Sequence, residues 1–270
     1  MTVSFENLTA DTSGSVTTHH VNNVALTAGR LHILAVCANN VAGAPLGPPT
    51  ISHSATWSLI GGGVTFSNSN RRALYVFRCQ PADNVASSNV DVVWPTTVTN
   101  SVAIVDMSSS DIYDDADGNG AGCIRQPTTA TGSSDTLAVS LGSFAGEDNG
   151  TYVAGACQAS STFTPDEAFI ELNEAAQSPV GLVTAYATDP QTSIEIVRDS
   201  GSQSWAIQAF EIAASDADPP EPMPAGFTYF DGLVEKQVPI HHSQIVLPAG
   251  AAPGKFLTVD SNGNLVWDTP

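Results

Sequence analysis

LHILAVCA, residues 31–38, is the stretch on which the fold turns. Leu31, Ile33, Ala35 and Cys37 alternate with His32, Leu34, Val36 and Ala38, so an extended backbone would carry apolar groups on both faces. Gly29 precedes the run and the breaker-rich NNVAGAPLGPPT, residues 39–50, follows it, which leaves room for a strand and little for a helix. A strand apolar on both sides belongs in the middle of a sheet.

Working outward, strand-like runs recur at 57–60, 73–78, 90–94, 101–107, 136–141, 151–157, 181–186, 192–197 and 204–212. Gly/Ser/Asn/Pro clusters separate them: GGG at 61–63, QPADNVASSN at 80–89 and DDADGNGAG at 114–122. Short strands with turn signals between them predict an all-β fold, an antiparallel β-sandwich of jelly-roll type. The one helix candidate is TPDEAFIELNEAA, 164–176, with Thr164 as N-cap and Pro165 at the first helical position. The alternative reading of that stretch is a loop carrying FIEL as a short strand.

Apolar residues make up 42% of the 270, enough for a sizeable core, while charged residues are only 13%. Eight Lys plus Arg face 27 Asp plus Glu, a formal net charge of −19. That field repels a phosphate backbone and argues against direct nucleic-acid binding. The two lysines are Lys236 and Lys255. No apolar run approaches the ~20 residues of a membrane span, and Met1–Glu6 does not read as the start of a signal peptide. Cys37, Cys79 and Cys157 each fall in a strand-like run and are expected as reduced core thiols. The four cysteines form no CxxC or Cys/His cluster. Synthesis in a reducing cytoplasm fits this usage.

SDADPPEPMPAG, from Ser215 to Gly226, breaks the pattern with four prolines and three acids, the composition of an extended spacer. It divides the chain into a sandwich domain at 1–214, an acidic Pro-rich linker at 215–225 and a C-terminal segment at 226–270. That last segment is too short to bury a core alone. Pro239, Pro248 and Pro253 punctuate it, and GKFLTVDSNGNLVWDTP, 254–270, reads as strand, turn and strand. Its aromatic and apolar residues, Phe227, Tyr229, Phe230, Phe256, Leu265 and Trp267, are the candidate contacts for oligomerisation or docking.

The series LTAGRLHILAVCANN (26–40), ATWSLIGGG (55–63), NRRALYVFR (70–78), SVAIVDMSS (101–109) and SWAIQAFEIA (204–213) resembles a β-sandwich domain of tailed-bacteriophage virion proteins. GKFLTVDSNGNLVW (254–267) resembles the repeat-like endings of phage fibre and decoration proteins. The resemblance implies a structural or adhesive virion component and carries over no catalytic residues.

Among local motifs, DADGNG (115–120) places Asp115, Asp117 and Asn119 at positions 1, 3 and 5 of a calcium loop, with Gly120 at position 6. Gln126 stands where the closing bidentate Glu belongs, so the competing reading is a surface turn. His19-His20 and His241-His242 are adjacent pairs that point to opposite faces of a strand and cannot chelate one ion within a chain. GSQSW, 201–205, lacks the closing glycine of a nucleophile elbow, and no motif marks a carboxylate pair for glycan cleavage. Trp57, Trp94, Trp205, Tyr75 and Tyr186 are read as core, with a sugar-binding platform as the alternative. Arg71-Arg72 is a small cationic spot or a solvated turn.

The expectation is a non-enzymatic phage virion surface protein without a cofactor, made in the host cytoplasm. It displays a sandwich and forms a homotrimer, or docks on capsid or tail proteins, through residues 226–270. The alternative is a carbohydrate-binding module that recognises host-surface glycan.

Overall fold

The computed structural model describes residues 3–40, 45–67, 71–116, 118–159, 161–199 and 201–215, and strands at 228–230, 235–237, 256–259 and 265–268. The chain divides into two units, Met1–Ala217 and Asp218–Pro270.

The first unit is all-β and antiparallel. Nine strands come first: β1 (Phe5–Ser13), β2 (Val16–Leu26), β3 (His32–Asn39), β4 (Thr50–Ser52), β5 (Ser58–Leu59), β6 (Val64–Phe66), β7 (Arg72–Cys79), β8 (Val85–Val98) and β9 (Asn100–Ser108). They form one sheet in the order β1-β9-β3-β7-β5, with β6 also on β7, and a second in the order β2-β8-β4. The pairs β1·β9, β2·β8 and β3·β7 are nested, as when a long antiparallel ribbon is rolled into a jelly roll.

Eight more strands follow: β10 (Ile124–Ser134), β11 (Thr136–Ser140), β12 (Gly150–Cys157), β13 (Phe163–Pro165), β14 (Ile170–Gln177), β15 (Val180–Ala187), β16 (Ser193–Arg198) and β17 (Gln203–Ile212). Their sheets run β10-β17-β12-β15-β14 and β11-β16-β13. Strand for strand this repeats the first arrangement, with β10 in the place of β1, β12 of β3, β15 of β7 and β17 of β9. The sequence suggested one sandwich; the structure holds two of the same topology.

The two pack through their larger sheets. Across this seam β1 meets β14 and β10 meets β6; β9 meets β15 and β17 meets β7; β3 meets β15 and β12 meets β7. Each contact has its counterpart when the two halves are exchanged, the pattern an isologous pairing leaves. Four sheets therefore stack in the order β2-β8-β4, β1-β9-β3-β7, β10-β17-β12-β15-β14 and β11-β16-β13, with a core in each of the three gaps.

This stacking explains LHILAVCA. Leu31, Ile33, Ala35 and Cys37 enter the seam core, while Leu34, Val36 and Ala38 enter the core of the first sandwich. β12 does the same, with Tyr152, Ala154 and Ala156 in the seam and Val153 and Cys157 in the second sandwich. The seam is aromatic at its centre. Tyr152 stacks on Phe210 with centroids 5.2 Å apart, and Phe5 lies 5.2 Å from Tyr152 and 5.9 Å from Tyr186. Gly132 on the edge strand β10 sits opposite Trp205, whose indole occupies the space a Cβ would need.

The helix candidate is not a helix. Thr164 and Pro165 end β13, and β14 pairs with β15 from Ile170↔Tyr186 to Gln177↔Val180. Glu, Leu and Ala favour a helix only weakly, and the open edge of β15 supplies a full ladder instead. All four cysteines are free and buried, Cys123 included. Of the two arginines read as a spot, Arg71 is exposed and Arg72 is buried at the start of β7.

Phe210 is fully buried between the halves, so Phe210→Ala should cost about 3–5 kcal/mol of unfolding free energy. The halves should also melt together: in single-Trp variants keeping Trp94 (first sandwich) or Trp205 (second), urea transitions should coincide. Two separated transitions would show that the seam does not couple them.

Candidate functional site

Asp115 and Asn119 of the calcium-like loop are already hydrogen-bonded within the protein. Asp115 accepts the Gly122 N–H on Oδ2 and the Gly120 N–H on its carbonyl, and its own N–H donates to Gln80 Oε1. Asn119 accepts from the Gln80 N–H (3.1 Å) and donates to the Thr56 carbonyl (3.0 Å) and Ser58 Oγ (3.1 Å). Gln80 extends the web to the carbonyls of Gly29 and Tyr113. Asp117 lies outside the described residues. Among those described, no group of three or more His, Cys, Asp or Glu side chains is placed to hold a metal ion.

Of the C-terminal candidates, Phe227 lies outside the described residues. Tyr229 and Phe230 fall in β18 (Thr228–Phe230), opposite Lys236 and Glu235 of β19 (Glu235–Gln237). The strand-turn-strand reading of the last residues corresponds to a hairpin of β20 (Phe256–Val259) and β21 (Leu265–Asp268). Its register sets Leu257 opposite Trp267, Val259 opposite Leu265 and Phe256 opposite Asp268.

Two serine–histidine contacts went unnoticed in the sequence. Ser101 Oγ lies 2.9 Å from His19 Nδ1, and His19 Nε2 lies 3.9 Å from Asp11 Oδ1, the order of a nucleophile, a base and an acid. Ser101 and His19 are both buried, however, and the Asp11 carboxylate is held by Asn22 Nδ2 at 2.9 Å. Burial also pushes the His19 pKa down, and a substrate carbonyl has no path to the hydroxyl. The second contact, His53 Nε2 to Ser88 Oγ at 2.9 Å, has the wrong tautomer for a base. His53 Nδ1 accepts the Ala55 N–H, so Nε2 carries the proton and donates it. His19 points inward and exposed His20 outward to Asp91, as strand alternation requires; His241 and His242 lie outside the described residues. Trp94, Trp205, Tyr75 and Tyr186 are buried in the cores, and Trp57 is half-buried beside His53.

One buried polar cluster crosses the seam. Asp106 of β9 is fully buried, accepts from Tyr152 Oη of β12 at 2.6 Å and from Asn7 Nδ2 of β1 at 2.8 Å, and has no cation partner among the described residues. Asn7 Oδ1 in turn accepts from Asn173 Nδ2 of β14 at 2.6 Å. Gln208 of β17 donates to the Ile60 carbonyl at 2.8 Å. Desolvation raises the Asp106 pKa from 3.8 to about 6, against the opposing pull of hydrogen bonds from Tyr152, Asn7 and Thr184.

At the mouth of the seam lies an open cleft of about 360 Å³, walled by the first sandwich and touched by Tyr186 of the second. Arg30, Glu6, Phe5 and Met107 belong to the first sandwich, Ser108 and Ser109 to the end of β9, and Tyr186 to the second sandwich. Arg30 Nη1 donates to the Ser108 carbonyl at 3.2 Å and makes no ion pair among the described residues.

Two groups should shape the acid stability of the fold in opposite directions. Between pH 4 and 6 folded Asp106 keeps a proton that the unfolded chain has released, so its contribution is lost as pH rises. Buried His32, lowered from 6.5 to about 4, stays neutral while the unfolded chain takes up a proton, so its contribution is lost as pH falls. Asp106→Asn should therefore gain about 2 kcal/mol on the wild type between pH 4 and 6, and His32→Gln should drift the other way. Urea titrations at stepped pH measure both; a flat Asp106→Asn difference would refute the assignment. Asp115 and Asn119 already have protein partners, so chelation should move the melting temperature by less than about 2 °C, equivalent to under about 1 kcal/mol here.

Compared with known protein families, characterised proteins and solved structures, the chain matches none.

Proposed function

We propose that this chain is a non-enzymatic component of a bacteriophage virion surface. It displays the paired sandwiches and attaches, or oligomerises as a trimer, through residues 226–270. The observation that carries this reading is the β20–β21 hairpin, with Leu257 across from Trp267, which follows the proline-rich stretch in the chain. Two-stranded hairpins of four-residue strands are marginal alone and gain stability by packing on another surface. We assign that surface to neighbouring copies or to capsid or tail proteins. The paired sandwiches suit display, because cores in all three gaps make a rigid body whose loops remain free to vary.

Particles carrying the full chain, Trp267→Ala, or a chain shortened by residues 226–270 would test the proposal by co-sedimentation. The shortened chain should be lost from particles. Trp267→Ala should lower occupancy, since truncating a buried Trp typically costs about 3–5 kcal/mol, and should leave the unfolding of the sandwiches unchanged. Normal occupancy of both variants would overturn the reading.

A further inference from the structure

We propose that the cleft at the mouth of the seam binds a saccharide carrying a single carboxylate, with Arg30 as its anion partner. Pockets favour domain junctions, and this one opens beside the seam, on the first sandwich with Tyr186 of the second at its edge, with a volume at the small end of the usual ligand range, about 300–1,000 Å³.

Charge is the first argument. In a chain of 27 acids and eight basic residues, Arg30 makes no ion pair among the described residues. Only one of its guanidinium N–H groups is assigned, to the Ser108 carbonyl. A guanidinium has five donors in a planar fork that matches a carboxylate.

The hydroxyls are the second. Ser109 Oγ accepts two backbone N–H groups, from Ser4 at 3.3 Å and Asp111 at 3.4 Å, which leaves its own O–H to give to a ligand. Glu6 is exposed in the same cleft and can only accept, as a sugar hydroxyl requires. Half-buried Met107 supplies one apolar edge for sugar C–H groups.

Glu6 also decides against phosphate. One Arg beside one carboxylate tolerates a monoanion, whereas a dianion would meet repulsion with no second cation lining the cleft. The inference concerns what the displayed body recognises and does not depend on how residues 226–270 attach it.

Ligand-observed NMR with the full chain in solution tests this, using glucuronic acid, glucose and acetate as probes. Glucuronate should bind at least about tenfold more tightly than either glucose or acetate. Arg30→Gln should abolish the preference over glucose. Arg30→Lys, which keeps the charge and loses the fork, should keep part of it at an unchanged melting temperature. Absence of glucuronate binding, equal binding of acetate or glucose, or indifference to both Arg30 variants would overturn the proposal. Because no particle is involved, failure here is distinct from failure of the virion reading.

Discussion

The rest of the structure depends on one constraint: the inner strands of the two central sheets are buried on both faces. Antiparallel sheets commonly pack one face and leave the other to water. Here β1-β9-β3-β7 and β10-β17-β12-β15-β14 each lie between two other sheets, so every residue of β3, β12 and β15 is buried. Small side chains are needed at the closest approaches, and Ala35, Ala154, Ala156 and Ala206 supply them beside Leu and Phe. The outer sheets are under no such demand. In β16 buried Ile194 and Ile196 alternate with exposed Glu195 and Val197, the ordinary pattern of a one-sided strand.

Apolar burial alone would hold the halves together without fixing how they sit. Three polar links across the seam add direction: Asp106 with Tyr152, Asn7 with Asn173, and Gln208 with the Ile60 carbonyl. A slip would leave each buried polar group without a partner, at about 1–3 kcal/mol apiece. The carboxylate of Asp106 is the costly member, since it has donors and no cation. It marks the seam as a place where some stability has been exchanged for a defined geometry.

The inner strands of the two central layers, β3, β7, β9, β12, β15 and β17, were legible because their apolar content leaves no other reading; LHILAVCA and SWAIQAFEIA are the clearest cases. The Thr/Ser/Asn-rich strands β1, β2 and β10 escaped notice. Their residues pair along a ladder on a half-covered surface, where hydroxyl and amide side chains serve as well as apolar ones. β14 was left between two readings, since its Glu, Leu and Ala content spoke for a helix and FIEL for a short strand. The doubling was invisible because topology repeats with little shared wording: HILAVCAN and GTYVAGAC occupy the same place in the two halves.

Taken alone, the sequence determined an all-β chain, a break near Ser215, reduced cysteines in strands and a hairpin pattern at 254–270. Each of these follows from local composition and period, which act over a few residues. Tertiary structure alone decided that there are two sandwiches, that Asp106 is buried against Tyr152, that Ser101 and His19 meet out of reach of solvent, and that Arg30 and Tyr186 share a cleft. Those pairs lie far apart along the chain, and no residue-level period encodes which sheet faces which. That choice is made by the side chains of four layers finding a common packing.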